Sequence, residues 1–148
     1  MPDWVEDVVL GLLVVDLGVA FGAGMYESRF EVPRWKSLPT DQWTNTGVKF
    51  WVFVTTGPLT LLTIASLALV WTADGSRQDW WLASTAFLVV ERLVTFGYFI
   101  PTMVRLQSSS GWPRDRVEAT LARWMRCNVG RHLLVLAAWL TALQALRL

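Results

Sequence analysis

Asp16, Glu91, Arg92, Arg131 and His132 stand inside stretches of sequence that are otherwise almost entirely apolar. Together they offer acid–base chemistry. His132 or Glu91 would serve as a general base. Arg131 or Arg92 would hold an oxyanion in a low-dielectric pocket. Asp16 adds a second carboxylate, one that could also carry protons. A charge at mid-bilayer costs on the order of 2.5–3.5 kcal/mol, so such groups are usually paired or functional. The structural alternative is a set of ion pairs that fix helix order, Asp16 with Arg92 and Glu27 or Glu91 with Arg131. Arg131 could also simply snorkel to an interface.

The spacing of the surrounding residues suggests a pocket. Asp16, Ala20, Ala23 and Glu27 fall on one helical stripe. Glu91, Thr95 and Tyr98 share a face, and Arg92, about 100° away, could reach Asp16 across the bundle. Asn128 lies three and four residues before Arg131 and His132 and faces the same way. Tyr26, Glu27, Tyr98 and Asn128 are expected at similar depth, and with Trp124 and Phe96 they would line a substrate site. The second apolar segment adds only Thr55, Thr56, Thr60 and Thr63. His132 is the sole histidine, and zinc or di-iron sites need three or more ligands, so no metal is expected. A His132–Glu91–Asp16 metal site is the weaker alternative.

The elements that must position these groups are four apolar segments, residues 8–25, 50–71, 80–100 and 124–146. Each is close to the ~20 residues that cross a bilayer as a helix. The 148-residue chain therefore reads as one domain, an all-α integral membrane bundle of four transmembrane helices. Its 53% hydrophobic content fits that class. With a net charge of +1 and no basic stripe outside the helices, no nucleic-acid partner is expected. Cys127 is the only cysteine, which excludes a dithiol mechanism like that of the four-helix quinone-linked disulfide oxidoreductases. The acidic start MPDWVEDVV does not read as a cleavable signal peptide.

Basic residues mark an orientation. Arg29, Arg34, Lys36 and Lys49 follow the first segment, and Arg105, Arg114, Arg116, Arg123 and Arg126 follow the third. The positive-inside rule places both connections in the cytoplasm of a bacterial-type inner membrane, with both termini outside. Asp74-Gly75 signals a tight turn that makes the second and third helices a hairpin. Pro58 should kink the second helix, and Pro101 should end or kink the third. Trp4, Trp71, Trp80 and Trp81 are expected as anchors at one boundary, and Trp35, Trp43, Trp51, Trp112 and Trp124 at the other. Val117, Leu121 and Trp124 suggest an amphipathic lead-in lying along the interface before the fourth helix. Gly18 and Gly22 suit close helix packing, including a homodimer contact.

Three stretches resemble the anthrone oxygenase-like (DUF1772) family of small four-helix membrane proteins. They are GAGMYESRFEVPRW at residues 22–35, GYFIPTMVRL at 97–106, and RWMRCNVGRHLLVLAAWLTALQAL at 123–146. The last is similar to the family's Trp-x-x-x-Asn-x-x-Arg opening of helix 4. Near Pro101, where the family pattern has Asn, this chain has Ile100, Thr102 and Met103. The resemblance implies cofactor-independent oxygenation of a lipophilic, aromatic polyketide-like substrate, with molecular oxygen as co-substrate. His132 or Glu91 would form a carbanion and Arg131 or Arg92 would stabilise it. Asn128 would orient the substrate, Tyr98 would assist loss of water, and Phe96 and Trp124 would stack on a flat ring. An acid–base isomerase or cyclase of a lipophilic metabolite is the alternative enzyme. A proton-coupled transporter is the alternative class, since Asp16 is similar to the first-helix acid of small multidrug transporters.

Overall fold

The computed structural model describes residues 3–43, 48–109 and 111–148, which form helices and no strand. Four rods run through the molecule. The first, α1, comprises Asp3–Tyr26, a π-helical turn Glu27–Glu31, and Val32–Trp35. The second, α2, comprises Val48–Phe50, a π-helical turn Trp51–Thr56, and Gly57–Leu69. The third, α3, comprises Gly75–Val94, a π-helical turn Thr95–Phe99, and Ile100–Gln107. The fourth, α4, is one unbroken helix, Arg114–Leu146. All four are long and apolar enough to cross a membrane. The short link between α2 and α3 turns at Gly75, whose φ of 57° is the left-handed conformation that glycine adopts without a Cβ clash.

In this ring of rods α4 packs most extensively on α3 and then on α1, while α2 touches α1 and α3. The outside is apolar, with Leu12, Val15, Leu61, Ile64, Leu93, Leu133 and Leu140 all exposed. Such a surface suits a hydrocarbon solvent rather than water. The central core is built from Leu13, Leu17, Leu59, Leu88, Val135, Ala138 and Ala142. Ala138 and Ala142 let α3 approach α4 closely enough for Ser84 Oγ to donate to the Ala138 carbonyl at 2.9 Å. At the end holding the termini, Arg77 of α3 bonds Asp7 of α1 at 2.5 Å, and Thr72 donates to Glu6 at 2.8 Å.

The prolines do not end helices, so of the end or kink expected at Pro101 the end does not occur. Each π turn is followed by a proline, Pro33, Pro58 or Pro101. Proline lacks an N–H, and its ring crowds the carbonyl four residues back. Here the residue before each proline reaches back five residues instead. Val32 donates to the Glu27 carbonyl, Gly57 to Val52, and Ile100 to Thr95. The wider turn relieves the crowding and the helix continues. At Gly57 the widening leaves so little room that a Cβ would lie 2.5 Å from the Val52 carbonyl oxygen.

The expected interfacial lead-in to the fourth helix is the first three turns of α4 itself. Val117, Leu121 and Trp124 are buried with Val32, Trp43, Phe99 and Leu106 in a second core. Some of the expected tryptophan anchors are also core residues. Trp81, Trp43 and Trp124 are buried, while Trp4, Trp71 and Trp80 are exposed. Trp43 is fixed by stacking on Trp35 at 5.7 Å and by donating to the Trp35 carbonyl at 2.9 Å.

Candidate functional site

The three π turns and α4 surround one cavity of about 320 Å³. Glu27 comes from the first turn, Trp51, Val52 and Thr56 from the second, and Thr95 and Phe99 from the third. Arg131 and Trp124 of α4 close it, and Ile100, Met103 and Val104 complete an apolar wall. The size is near the lower end of the ~300–1,000 Å³ range of small-molecule sites. Val52, Ile100 and Val104 are also exposed on the outside of the bundle, so the wall reaches the apolar outer surface. π bulges cluster at functional sites because they turn backbone and side chains out of helical register. Here three converge on one space.

Arg131 is the charged centre of this cavity. Its guanidinium carbon sits 4.8 Å above the centre of the Phe99 ring, a cation–π contact. Phe99 is itself held edge-on to Trp124, ring centres 5.7 Å apart, and the Trp124 indole N–H donates to the Phe99 carbonyl at 3.3 Å. Glu27 and Glu91 both lie within electrostatic reach of Arg131. Neither forms a direct ion pair with it among the described residues. The expected structural pairs with Arg131 are thus replaced by a looser arrangement, with Glu27 and Arg131 both lining the cavity. The Trp51 side chain is a further polar neighbour of Glu27.

Behind this space lies a tighter pair. Glu91, 1% exposed, bonds Arg92 at 2.5 Å and accepts from Thr95 Oγ1 at 2.7 Å. Arg92 also donates to the Thr56 carbonyl at 3.3 Å. The expected Asp16–Arg92 ion pair is not formed. Arg92 turns instead to its sequence neighbour and to the carbonyl at the end of the α2 π turn. Asp16 remains within electrostatic reach of Arg92, and its Oδ2 is buried with no hydrogen-bond partner among the described residues. Asp16, Arg92, Glu91, Arg131 and Glu27 therefore form a series of alternating charge linked by electrostatics rather than by continuous hydrogen bonds.

Arg131 and His132, expected to act side by side, part company. Their positions on α4 differ by 100°, and His132 faces α1. Its Nε2 lies 2.9 Å from Ser28 Oγ, while Asn128 Nδ2 lies 2.9 Å from Ser28 Oγ and 3.1 Å from His132 Nε2. Gly24 makes the approach feasible, because a Cβ there would fall 2.4 Å from His132 Cε1. Neighbours Glu27 and Ser28 on α1 thus face neighbours Arg131 and His132 on α4 in two parallel couples. Ser28 carried no signal of its own in the sequence. Its position four residues after Gly24 and one after Glu27 could have pointed to it.

The remaining candidates lie elsewhere. Tyr26 is exposed and rings with Phe30 at 5.3 Å, and Phe96 is exposed. Tyr98 packs edge-on to Phe99 at 5.1 Å and neighbours Cys127, and it does not line the cavity. No three His, Cys, Asp or Glu side chains gather as a metal-holding group among the described residues, so the His132–Glu91–Asp16 trio is not assembled. A second cavity, of about 570 Å³, lies between the two longer connections, with Trp35, Trp43, Trp112, Lys36 and Arg114 among its lining. No protein-family model, curated protein or solved structure matches the chain.

Proposed function

We propose that this protein is a membrane-embedded enzyme that performs acid–base chemistry on a small lipophilic substrate in the cavity between the π turns. The observation that carries the reading is the joint placement of Glu27 and Arg131 in a mostly apolar, aromatic-walled space. Glu27 removes a proton from a carbon or hydroxyl conjugated to a carbonyl, and Arg131 holds the oxyanion that forms. Trp51, Phe99 and Trp124 give flat faces for a ring system. The Glu91–Arg92 pair fixes Thr95 and Thr56, which stand on the cavity wall. Relative to the sequence expectation, the base moves from His132 or Glu91 to Glu27.

The resemblance to the anthrone oxygenase-like family specifies the reaction further. A doubly benzylic CH2 loses a proton to Glu27, and the carbanion adds molecular oxygen. The resulting hydroperoxide loses water to give the carbonyl, so CH2 and O2 become C=O and H2O. In the inner-membrane orientation proposed from the basic connections, the cavity lies in the cytoplasmic half, reachable from the lipid.

The experiment is oxygen uptake by the purified protein with an anthrone-type substrate, comparing wild type with Glu27→Gln and Arg131→Met. Uptake that depends on both residues is the expected result. An undiminished rate in Glu27→Gln would remove that residue as the base. Isomerisation of the substrate without oxygen uptake would favour the acid–base isomerase. The buried Asp16 Oδ2, without a hydrogen-bond partner among the described residues, favours one other reading, proton-coupled transport. Proton-driven uptake into vesicles, abolished by Asp16→Asn alone, would establish it.

A further inference from the structure

The cluster of Ser28, Asn128 and His132 lies outside the cavity and takes no part in the chemistry proposed for Glu27 and Arg131. It has a different geometry. Ser28 Oγ and His132 Nε2 are 2.9 Å apart, the separation of a hydroxyl nucleophile from its base. Asn128 Nδ2 donates toward both, at 2.9 Å to Oγ and 3.1 Å to Nε2. With the amide in that orientation, Nε2 receives hydrogen bonds and the ring proton sits on Nδ1, a tautomer assigned from the hydrogen-bond network. Nε2 is then ready to take the Ser28 proton. The ring is held against the bare backbone of Gly24, where a Cβ would come 2.4 Å from Cε1 and 2.9 Å from Nδ1.

Access is the second property. Asn128 and His132 are buried, but Ser28 is only partly buried. Met25, three residues before it on α1, and Val129 and Leu133, next to Asn128 and His132 in sequence on α4, face outward. Arg29 and Arg126, one and two positions from Ser28 and Asn128, are exposed at the same end. A lipophilic ester could therefore place its chain along the outside of the bundle, its carbonyl near Ser28 and an anionic head near the arginines.

We propose that Ser28 and His132 form a nucleophile–base pair, with Asn128 as hydrogen-bond donor, for acyl transfer from a lipophilic ester. Ser28 Oγ bonds to the carbonyl carbon as its proton passes to His132 Nε2. The carbonyl electron pair moves onto oxygen, where the Asn128 N–H released from Ser28 Oγ donates to it. On collapse the carbon–oxygen bond to the alcohol breaks, and the proton on Nε2 leaves with the alkoxide as an alcohol. A water molecule, giving its proton to Nε2, then attacks the acyl-Ser28 ester, releasing the acid and restoring Ser28.

The test is reaction of the detergent-solubilised full chain with a long-chain alkyl fluorophosphonate, with the adduct located by peptide mass spectrometry. Phosphonylation of Ser28 in wild type, with the exposed Ser37 and Ser108 unmodified, is the expected result. His132→Gln should slow labelling about 10²-fold or more, the scale of a lost general base. Monodisperse elution of each variant separates loss of the base from loss of the fold. If the His132 variant does not fold, the site of labelling in wild type still decides. Failure of folded wild type to react at Ser28, or equal labelling of a folded His132→Gln protein, would overturn the proposal and leave the cluster as a joint between α1 and α4.

Discussion

Around Leu13, Leu88 and Ala138 the helices keep regular α geometry and meet through leucine, alanine and serine, whereas toward the basic connections three of the four open into π turns. In the first region the side chains interlock, and Ser84 donates to the Ala138 carbonyl across α3 and α4. In the second, the widened turns push the walls apart, leaving room for the cavity and for Glu27 and Arg131. The same contrast separates the two arginine settings. Arg77 sits at the rim of the regular end, partly exposed, between Glu6 and Asp7. Arg131 sits inside the widened end on an aromatic face with no direct carboxylate contact among the described residues. A charge left that way in an apolar surrounding is costly, which is the reason to expect a role for it.

Breaking the site should have the largest effect. Glu27→Gln and Arg131→Met are predicted to lower turnover about 10²–10⁴-fold while leaving elution and helical circular dichroism unchanged. A double variant no worse than either single one would show that the two act as a unit. Breaking the pair behind it should cost stability first. Arg92→Leu strands the buried Glu91 carboxylate, at about 3–5 kcal/mol, read as a lower midpoint of thermal unfolding in detergent. Arg92→Leu with Glu91→Leu should recover much of that loss.

The turns themselves sharpen the contrast. Gly57→Ala places a methyl against the Val52 carbonyl, and Gly24→Ala places one against the His132 ring. Each is predicted to cost about 1–3 kcal/mol by overpacking. Gly22→Ala, where nothing lies within reach of a Cβ, should be near neutral and serves as the control. Smallest is the rim of the regular end. Arg77→Ala should cost only about 0.2–1 kcal/mol, as for other solvent-accessible pairs, and should leave turnover unchanged.

The regular half was the legible half. Apolar runs of membrane-spanning length give the four helices, and Asp74-Gly75 gives the hairpin, because length and turn chemistry are local properties. The convergence of polar residues on the basic end could also be read, from their depth along each segment. The cavity could not. Pro58 looked like a kink and Pro101 like a kink or a stop, since sequence alone does not tell a broken helix from one that widens and continues. The divergence of Arg131 from His132 follows from their adjacency, but which of them faces the cavity depends on the rotation of α4, and Gly24 decides that by accepting the imidazole. Trp81, Trp43 and Trp124 became core residues because the bundle has interior space at both ends for large rings. Arg92 chose Glu91 over Asp16 because the Thr56 carbonyl draws its guanidinium toward α2.

The central claim, that the widened end is a binding site for a small lipophilic molecule, is tested most directly by mass spectrometry of compounds that co-purify with the detergent-solubilised protein. Wild type and Arg77→Ala are predicted to retain the same lipophilic, ring-containing compound, and Arg131→Met to lose it. Equal retention by Arg131→Met, or no retained compound in any of the three, would contradict the account.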